Sequence, residues 1–389
     1  MQRSSLLVVY LTVFVDLLGF GIILPILPFY AERFGADGFW VGAVLTAYSG
    51  AQFIAAFFLG RVSDRIGRRP VLLASLAGSA ISLALTGLAG SLVVLLASRV
   101  LAGAFGGSIA TAQAYIADST DESNRTKYLG MLGATIGMGF VFGPAIGAGL
   151  SGFGFSAAAF AAAALAAANL VFGFFKLPET RPTWARWTPR PSPARAALES
   201  LCHPTIRPAL AAIFLATTAF AGMEATFALL GQERFGLDAG GMGLIFTLVG
   251  VVIAIVQGGL VGRLNAALGE RRLALTGAGL MAVGLLVLPF MPTLAVCILA
   301  LGVLAVGQGF VSPTLPSLLS LATSAGEQGE TLGIGQSASA AARAVGPLIA
   351  GWLFDLGPAL PYIVGAVLIV VAAGCIGQIY VAPRETVKV

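Results

Sequence analysis

Runs of about twenty apolar residues recur along this chain, at 5–29, 39–60, 71–89, 92–117, 127–150, 155–176, 209–232, 240–262, 272–290, 293–317, 330–354 and 358–381. At a rise of about 1.5 Å per residue, each is long enough as a helix to cross roughly 30 Å of hydrocarbon. A bilayer offers no water to the backbone, so every N–H and C=O must be paired within the protein, and helices are the predicted form of all twelve runs. Composition agrees: 58% of the 389 residues are hydrophobic and 10% are charged, against about 25% charged in soluble proteins. The first run is too long for the apolar core of a signal peptide, carries Asp16 and ends in "LPILPFY" instead of a small-residue cleavage site. It is therefore read as a retained span.

The loops between runs are basic on one side. With the N-terminus inside, eighteen of the 22 Lys and Arg residues fall in inner segments, only Arg33 and Arg234 fall outside, and Arg99 and Arg343 lie within runs. That bias fixes the orientation of a membrane protein and predicts both termini in the cytoplasm, with the chain in the inner (cell) membrane. It also explains the net charge of +5 without a nucleic-acid partner. Cys202, Cys297 and Cys375 are isolated, which points to neither a disulfide framework nor a metal site. The one histidine, His203, sits beside Pro204 in a polar loop, the usual place of a solvated residue.

The longest interruption, 177–208, is rich in Pro and Arg and reads as a cytoplasmic linker. It separates two six-span halves, 1–176 and 209–389, and these halves repeat. "ERFG" at Glu32–Gly35 returns at Glu233–Gly236, "GRVSDRIGRR" from Gly60 returns as "GRLNAALGER" from Gly262, and Gly143-Pro144 returns as Gly346-Pro347. An even number of spans per repeat gives a parallel repeat, related by an axis along the membrane normal.

The stretch "GRVSDRIGRRP" concentrates charge between two oily runs. Gly60 permits close helix approach, Gly67 a tight reversal, and Arg68 and Arg69 hold the loop at the cytoplasm. Asp64 does nothing for orientation. It either pairs with a neighbouring arginine, faces the N-terminal end of another helix, or is solvated, and spacing leaves these open. Within the runs the charged residues are Asp16, Arg99, Glu224 and Arg343, with Asp355 near a span end. A charge at the bilayer centre costs at least ~2.5 kcal/mol, so each is expected to face a cavity or a partner. They either form fold-stabilising ion pairs or do the work of a transport pathway, and intramembrane acids favour the second reading. Glu224 shares a helical face with Phe220 and Phe227. A carboxyl beside rings in an apolar cavity favours its neutral form and binds either a proton or a cationic aromatic molecule, in competition. Gln336, Ser339 and Arg343 form a polar stripe on the eleventh run, and Gln52, Gln257 and Gln308 add hydrogen-bonding groups in the second, eighth and tenth. With Phe20, these residues are the candidate lining of a mostly apolar, wet cavity between the halves.

Four blocks resemble those of one family. "GRVSDRIGRRP" is similar to the loop signature between the second and third spans of the major facilitator superfamily. "GMGFVFGPAIGAG" (137–149) resembles the fifth-span signature of that superfamily's drug–proton antiporters, carried by Gly139, Gly143, Pro144 and Gly147. "DLLGFGIILPILP" from Asp16 and "SRVLAGAFGG" from Ser98, led by Arg99, resemble first- and fourth-span blocks of exporters of the tetracycline-exporter type. The resemblance implies the major facilitator fold: an all-α integral membrane protein of twelve transmembrane helices in two pseudo-symmetric six-helix bundles. It implies that Gly60, Asp64, Gly67, Arg68 and Arg69 form a latch holding the outward-facing state. It further implies that the fifth-span glycines and proline kink and pack their helix. Asp16 and Glu224 then become the proton-coupling acids, with the positive charge of Arg99 acting on Asp16. The chain also departs from the pattern. Ala102 replaces the usual glutamine after the fourth-span arginine, the ninth span has no acid, and Ala266 stands where the first repeat has Asp64. The expectation is thus the antiporter class, with tetracycline not its main substrate.

The function so implied is proton-driven export of hydrophobic compounds, cationic ones among them, by a monomer that needs no cofactor beyond the proton gradient. The alternatives are a proton symporter importing a small metabolite on Arg343 or Arg99, and a non-transporting receptor or scaffold. No phosphate-binding loop and no membrane histidine support an ATP-driven or enzymatic reading.

Overall fold

A computed structural model of the chain describes residues 2–120, 122–179, 203–323 and 328–379. These residues are predominantly helical, with no strand among them. In the first half the helices are α1 (Gln2–Ile23), α2 (Leu27–Glu32), α3 (Gly38–Ile66), α4 (Arg68–Gly87), α5 (Leu92–Ala104), α6 (Ser108–Ser119), α7 (Glu122–Ser151) and α8 (Phe155–Lys176). In the second half they are α9 (Arg207–Phe235), α10 (Ala239–Ile255), α11 (Val261–Leu268), α12 (Glu270–Val287), α13 (Leu294–Leu321), α14 (Gln328–Leu356) and α15 (Leu360–Gln378). A π-helical turn, Val256–Leu260, joins α10 to α11.

Every apolar run read from the sequence carries helix. Among the described residues, nine helices are long and apolar enough to cross a membrane. The fourth run is not one of them, because it breaks between α5 and α6 at Phe105–Gly107. Nor are the second, α3, and the eleventh, α14, the latter diluted with polar groups by Gln336, Ser339 and Arg343.

Contacts group the chain into two compact units. The first comprises Met1–Pro189, Glu224–Val251 and Pro347–Leu356, the second Arg190–Met223, Val252–Gly346 and Gly357–Val389. In the first unit α1 packs on α7 and α8. Between membrane helices there is no hydrophobic drive, so small residues that let backbones touch decide which pairs associate. The fifth-span glycines do this at i, i+4 and i+8. A Cβ on Gly139 would lie 2.7 Å from the Leu17 Cβ, one on Gly143 2.6 Å from the Gly21 Cα, and one on Gly147 would collide with the Ile22 carbonyl. An adjacent face of α7 meets α10, where Gly243 lies against the Pro144 carbonyl and Ala148. Beside this seam Tyr30 stacks on Phe155 with centroids 3.5 Å apart and donates its hydroxyl to the Ala89 carbonyl. Buried Asn169 of α8 donates to the Thr12 carbonyl at 2.8 Å.

The second unit repeats the device. Gly277 of α12 and Gly307 of α13 approach through each other's backbone, and Gly346 lies against Thr218 of α9. Local conformation also follows the sequence repeat. Gly35 and Gly236 have φ of 77° and 62°, Gly67 and Gly269 φ of 104° and 78°, angles that a side chain would strain. Asp37 and Asp238 each accept, from the Trp40 and Gly241 amides at 3.0 and 2.8 Å, at the start of the second and eighth runs.

Replacing Gly143 by Val is expected to cost about 1–3 kcal/mol by overpacking, seen as a lower melting temperature in detergent. Gly149→Ala on the same helix meets nothing within 4 Å. It is expected to hold or raise the melting temperature, because alanine favours helix by up to about 1 kcal/mol.

Candidate transport site

The charged interior of the first unit is built around the break in the fourth run. Helix α5 stops at Ala104, and the Phe105 side chain occupies the space that Gly78 of α4 leaves open. The interrupted backbone leaves carbonyls without helical partners, and in an apolar interior each needs one. Gln52 of α3 supplies it: its Nε2 donates to the Gly106 carbonyl at 2.8 Å and lies 3.3 Å from the Tyr48 hydroxyl. Helix α6 then restarts at Ser108, whose hydroxyl donates to Asp16 Oδ2 at 2.6 Å. Ser79 of α4 lines the same cavity as Asp16. Thus the break, not a continuous helix, delivers a hydroxyl to the first-span acid.

Arg99 is 2% exposed and donates to the Thr86 hydroxyl, which lies 3.0 Å from Ser98 Oγ. Its Nε has no hydrogen-bond partner among the described residues. Asp16 and Arg99 line the same cavity, of about 30 Å³, together with Phe20, Tyr48 and Gln52. That volume admits a water molecule and excludes a drug-sized ligand. The structure therefore gathers Asp16, Phe20, Gln52 and Arg99, while hydrogen-bonding the acid and the guanidinium to different hydroxyls.

At the loop after α3, Gly67 turns the chain with φ of 104°. Arg68, 6% exposed, pairs through Nε with Asp118 of α6 at 2.8 Å and donates through Nη1 to Ser63 at 3.0 Å. Arg69 donates to the Phe174 carbonyl at 2.6 Å. The carboxylate of Glu179 accepts from the Arg68 and Arg69 amides at 2.9 and 3.1 Å, capping the N-terminus of α4, where a negative charge is favoured. Sequence reasoning missed Asp118 and Glu179. Their only signal is an acid just past or near a span end, "LPET" and "IADS". Gly60 and Asp64 fall within α3, but the side chain of Asp64 lies outside the described residues.

On α9, Phe220 and Glu224 are half-buried, and Phe227 is fully buried, edge-on to Phe246 with centroids 6.3 Å apart. Gln257 sits exposed in the π turn. Gln308 and Ser339 are half-buried, and Gln336 and Arg343 are exposed on α14. In the first unit Phe20 lies 4.8 Å from Tyr48 and 6.1 Å, edge-on, from Phe140. A larger cavity, about 380 Å³, is lined by Glu32, Asp37, Gln232, Glu233, Phe354 and Asp355. Burial pushes the Glu32 carboxyl up from its ordinary value, and a Gln232 hydrogen bond offsets part of that rise.

A multi-pass helical membrane protein with repeated halves, a broken span and ionisable groups inside has the make-up of a secondary transporter. The sequence profile of the Major Facilitator Superfamily matches residues 9–267 and 233–388, and the chain belongs to that superfamily. It is 32% identical to a class C tetracycline resistance protein of Escherichia coli over 95% of this chain and 96% of that one. It is 28% identical to multidrug resistance protein 2 of Bacillus subtilis (strain 168), over 96% and 94%. Among solved structures, the human organic anion transporter MFSD10 (TETRAN) superposes with a TM-score of 0.74 at 28% identity, covering 96% of this chain and 99% of that one. Members of this family carry small molecules across membranes.

Gln52→Leu leaves the Gly106 carbonyl unpaired, an expected cost of about 1–3 kcal/mol. Hydrogen exchange at 105–108 is expected to speed up relative to the rest of α5 and α6.

Proposed function

We propose that the chain is a proton-coupled exporter of hydrophobic compounds, cationic ones among them. It works by alternating access of two six-helix bundles, 1–176 and 209–389, as a monomer in the inner (cell) membrane with cytoplasmic termini. Its relatives named for tetracycline and multidrug resistance support the direction of transport. The observation that carries the coupling is the setting of Asp16: a carboxyl inside a span, held by a serine hydroxyl, in a cavity that fits water but no drug.

A hydroxyl both donates and accepts, so Ser108 can serve the carboxylate as donor and the carboxylic acid as acceptor. Neither protonation state of Asp16 then loses its partners. The buried guanidinium of Arg99 lines the same cavity but is hydrogen-bonded to Thr86 and not to the carboxyl, so Asp16 is not locked in an ion pair and can exchange its proton. Glu224 on α9 is the second acid, beside Phe220, and there proton and cationic substrate compete for one carboxylate. Uptake of a proton from outside accompanies release of substrate, and loss of the proton inside readies the site again. The protein performs no covalent chemistry and needs no cofactor.

In proteoliposomes with an imposed proton gradient, Asp16→Asn and Glu224→Gln are each expected to abolish gradient-driven uphill transport. Substrate exchange without a gradient should persist in Asp16→Asn. Undiminished uphill transport in both variants would overturn the assignment, and substrate entering with the proton instead of against it would make the protein a symporter.

A further inference from the structure

The sequence motifs leave Asp355 without a role, yet it makes the longest-range hydrogen bonds described in the first unit. Both carboxylate oxygens are used: Oδ1 accepts from the Gly38 amide at 2.7 Å and Oδ2 from the Phe39 amide at 2.8 Å. These are the first two residues of α3. Asp37 serves the next amide, Trp40, so the opening turn of a 29-residue helix is capped in part by a side chain from the other half of the sequence.

The packing below this cap is backbone on backbone. A Cβ on Gly351 would strike the Gly38 carbonyl, and a Cβ on Gly42 would strike the Pro347 carbonyl. As numbers rise on α3 they fall on α14, so the helices run antiparallel, with Gly38 and Gly42 meeting Pro347, Gly351 and Asp355 at helical spacing. Asp355 lies in the last turn of α14, the end of a helix where a carboxylate is disfavoured by the aligned peptide dipoles. It becomes favourable only when seated on the N-terminus of a second helix, as it is here. The residue is therefore poorly placed to stabilise its own helix and well placed to join two. Asp64 likewise lies in the last turn of its own helix, α3.

We propose that Asp355 is an outer-end latch, a gating carboxylate that holds α3 and α14 together on the outer side and must leave the Gly38 and Phe39 amides each time the protein opens outward. The cavity of about 380 Å³ beside it is the cleft that widens when the latch releases. Leu229, 5% exposed, lines that cleft and becomes reachable from outside on opening. The latch does not depend on which groups carry the proton or which compound is exported.

The test uses the full chain with Cys202, Cys297 and Cys375 replaced by Ser, a reporter Leu229→Cys, and a membrane-impermeant maleimide added outside intact cells, without substrate. Asp355→Ala is expected to raise the labelling rate on the order of tenfold, the scale of losing charge-assisted hydrogen bonds, and Asp355→Asn, which keeps one acceptor oxygen, less. A control reporter, Phe153→Cys, already 79% exposed, is expected to label alike in all backgrounds. Unchanged Leu229→Cys labelling in Asp355→Ala would overturn the proposal, as would equal acceleration at both reporters, which marks general loosening. Gly42→Ala separates the remaining case: faster labelling there with none in Asp355→Ala assigns closure to the glycine packing and rejects the latch.

Discussion

Gly21 and Gly143 meet with no side chain between them, and much of the first unit follows from that contact. Two helices whose backbones touch have little freedom to slide or rotate, because each neighbouring turn is already in register with its partner. Leu17 against Gly139 and Ile22 against Gly147 extend the register over two turns. Helix α1 is thereby fixed, and with it the direction in which Asp16 projects. In lipid, where apolar surface has no preference for protein over hydrocarbon, this contact geometry does the work that burial does in a soluble core.

Once Asp16 is fixed, its surroundings have to tolerate an acid. They do so with a neutral hydroxyl, that of Ser108, while Arg99 donates to Thr86 at a separate point of the same cavity. A direct ion pair would have locked both charges together and made either one costly to discharge. Hydroxyl partners avoid that commitment. The loop after α3 takes the other course: Arg68 is tied to Asp118 and Ser63, and its amide to Glu179. Permanent charges belong there because the site is a joint between elements.

Much of this was legible in the residues themselves. Twelve apolar runs gave twelve helical regions, and the internal repeat foretold the paired turns at Gly35 and Gly236, and at Gly67 and Gly269. What stayed hidden depends on who sits opposite whom. The fourth run is apolar on both sides of its break, so hydropathy passes over it, although Gly103, Gly106 and Gly107 were a sign that its helix was weak. Phe227 shares a face with Glu224 in sequence, yet packs edge-on to Phe246 on another helix. Glu179 follows a span end and looks like solvated linker until its carboxylate is found on two amides of α4. Asp355 looked like a stray charge at a helix end for the same reason. Periodicity names the face of a helix, and only tertiary approach names its neighbour.

The loan of a side-chain amide from Gln52 to the Gly106 carbonyl has a mechanical meaning. A span that completes its own hydrogen-bond ladder is free to glide along the helix beside it, whereas an interrupted one is stitched to whichever neighbour closes the gap. The second and fourth spans are therefore expected to travel as a single rigid piece, so any swing of the Gly38 end of α3 tugs on the serine that holds Asp16.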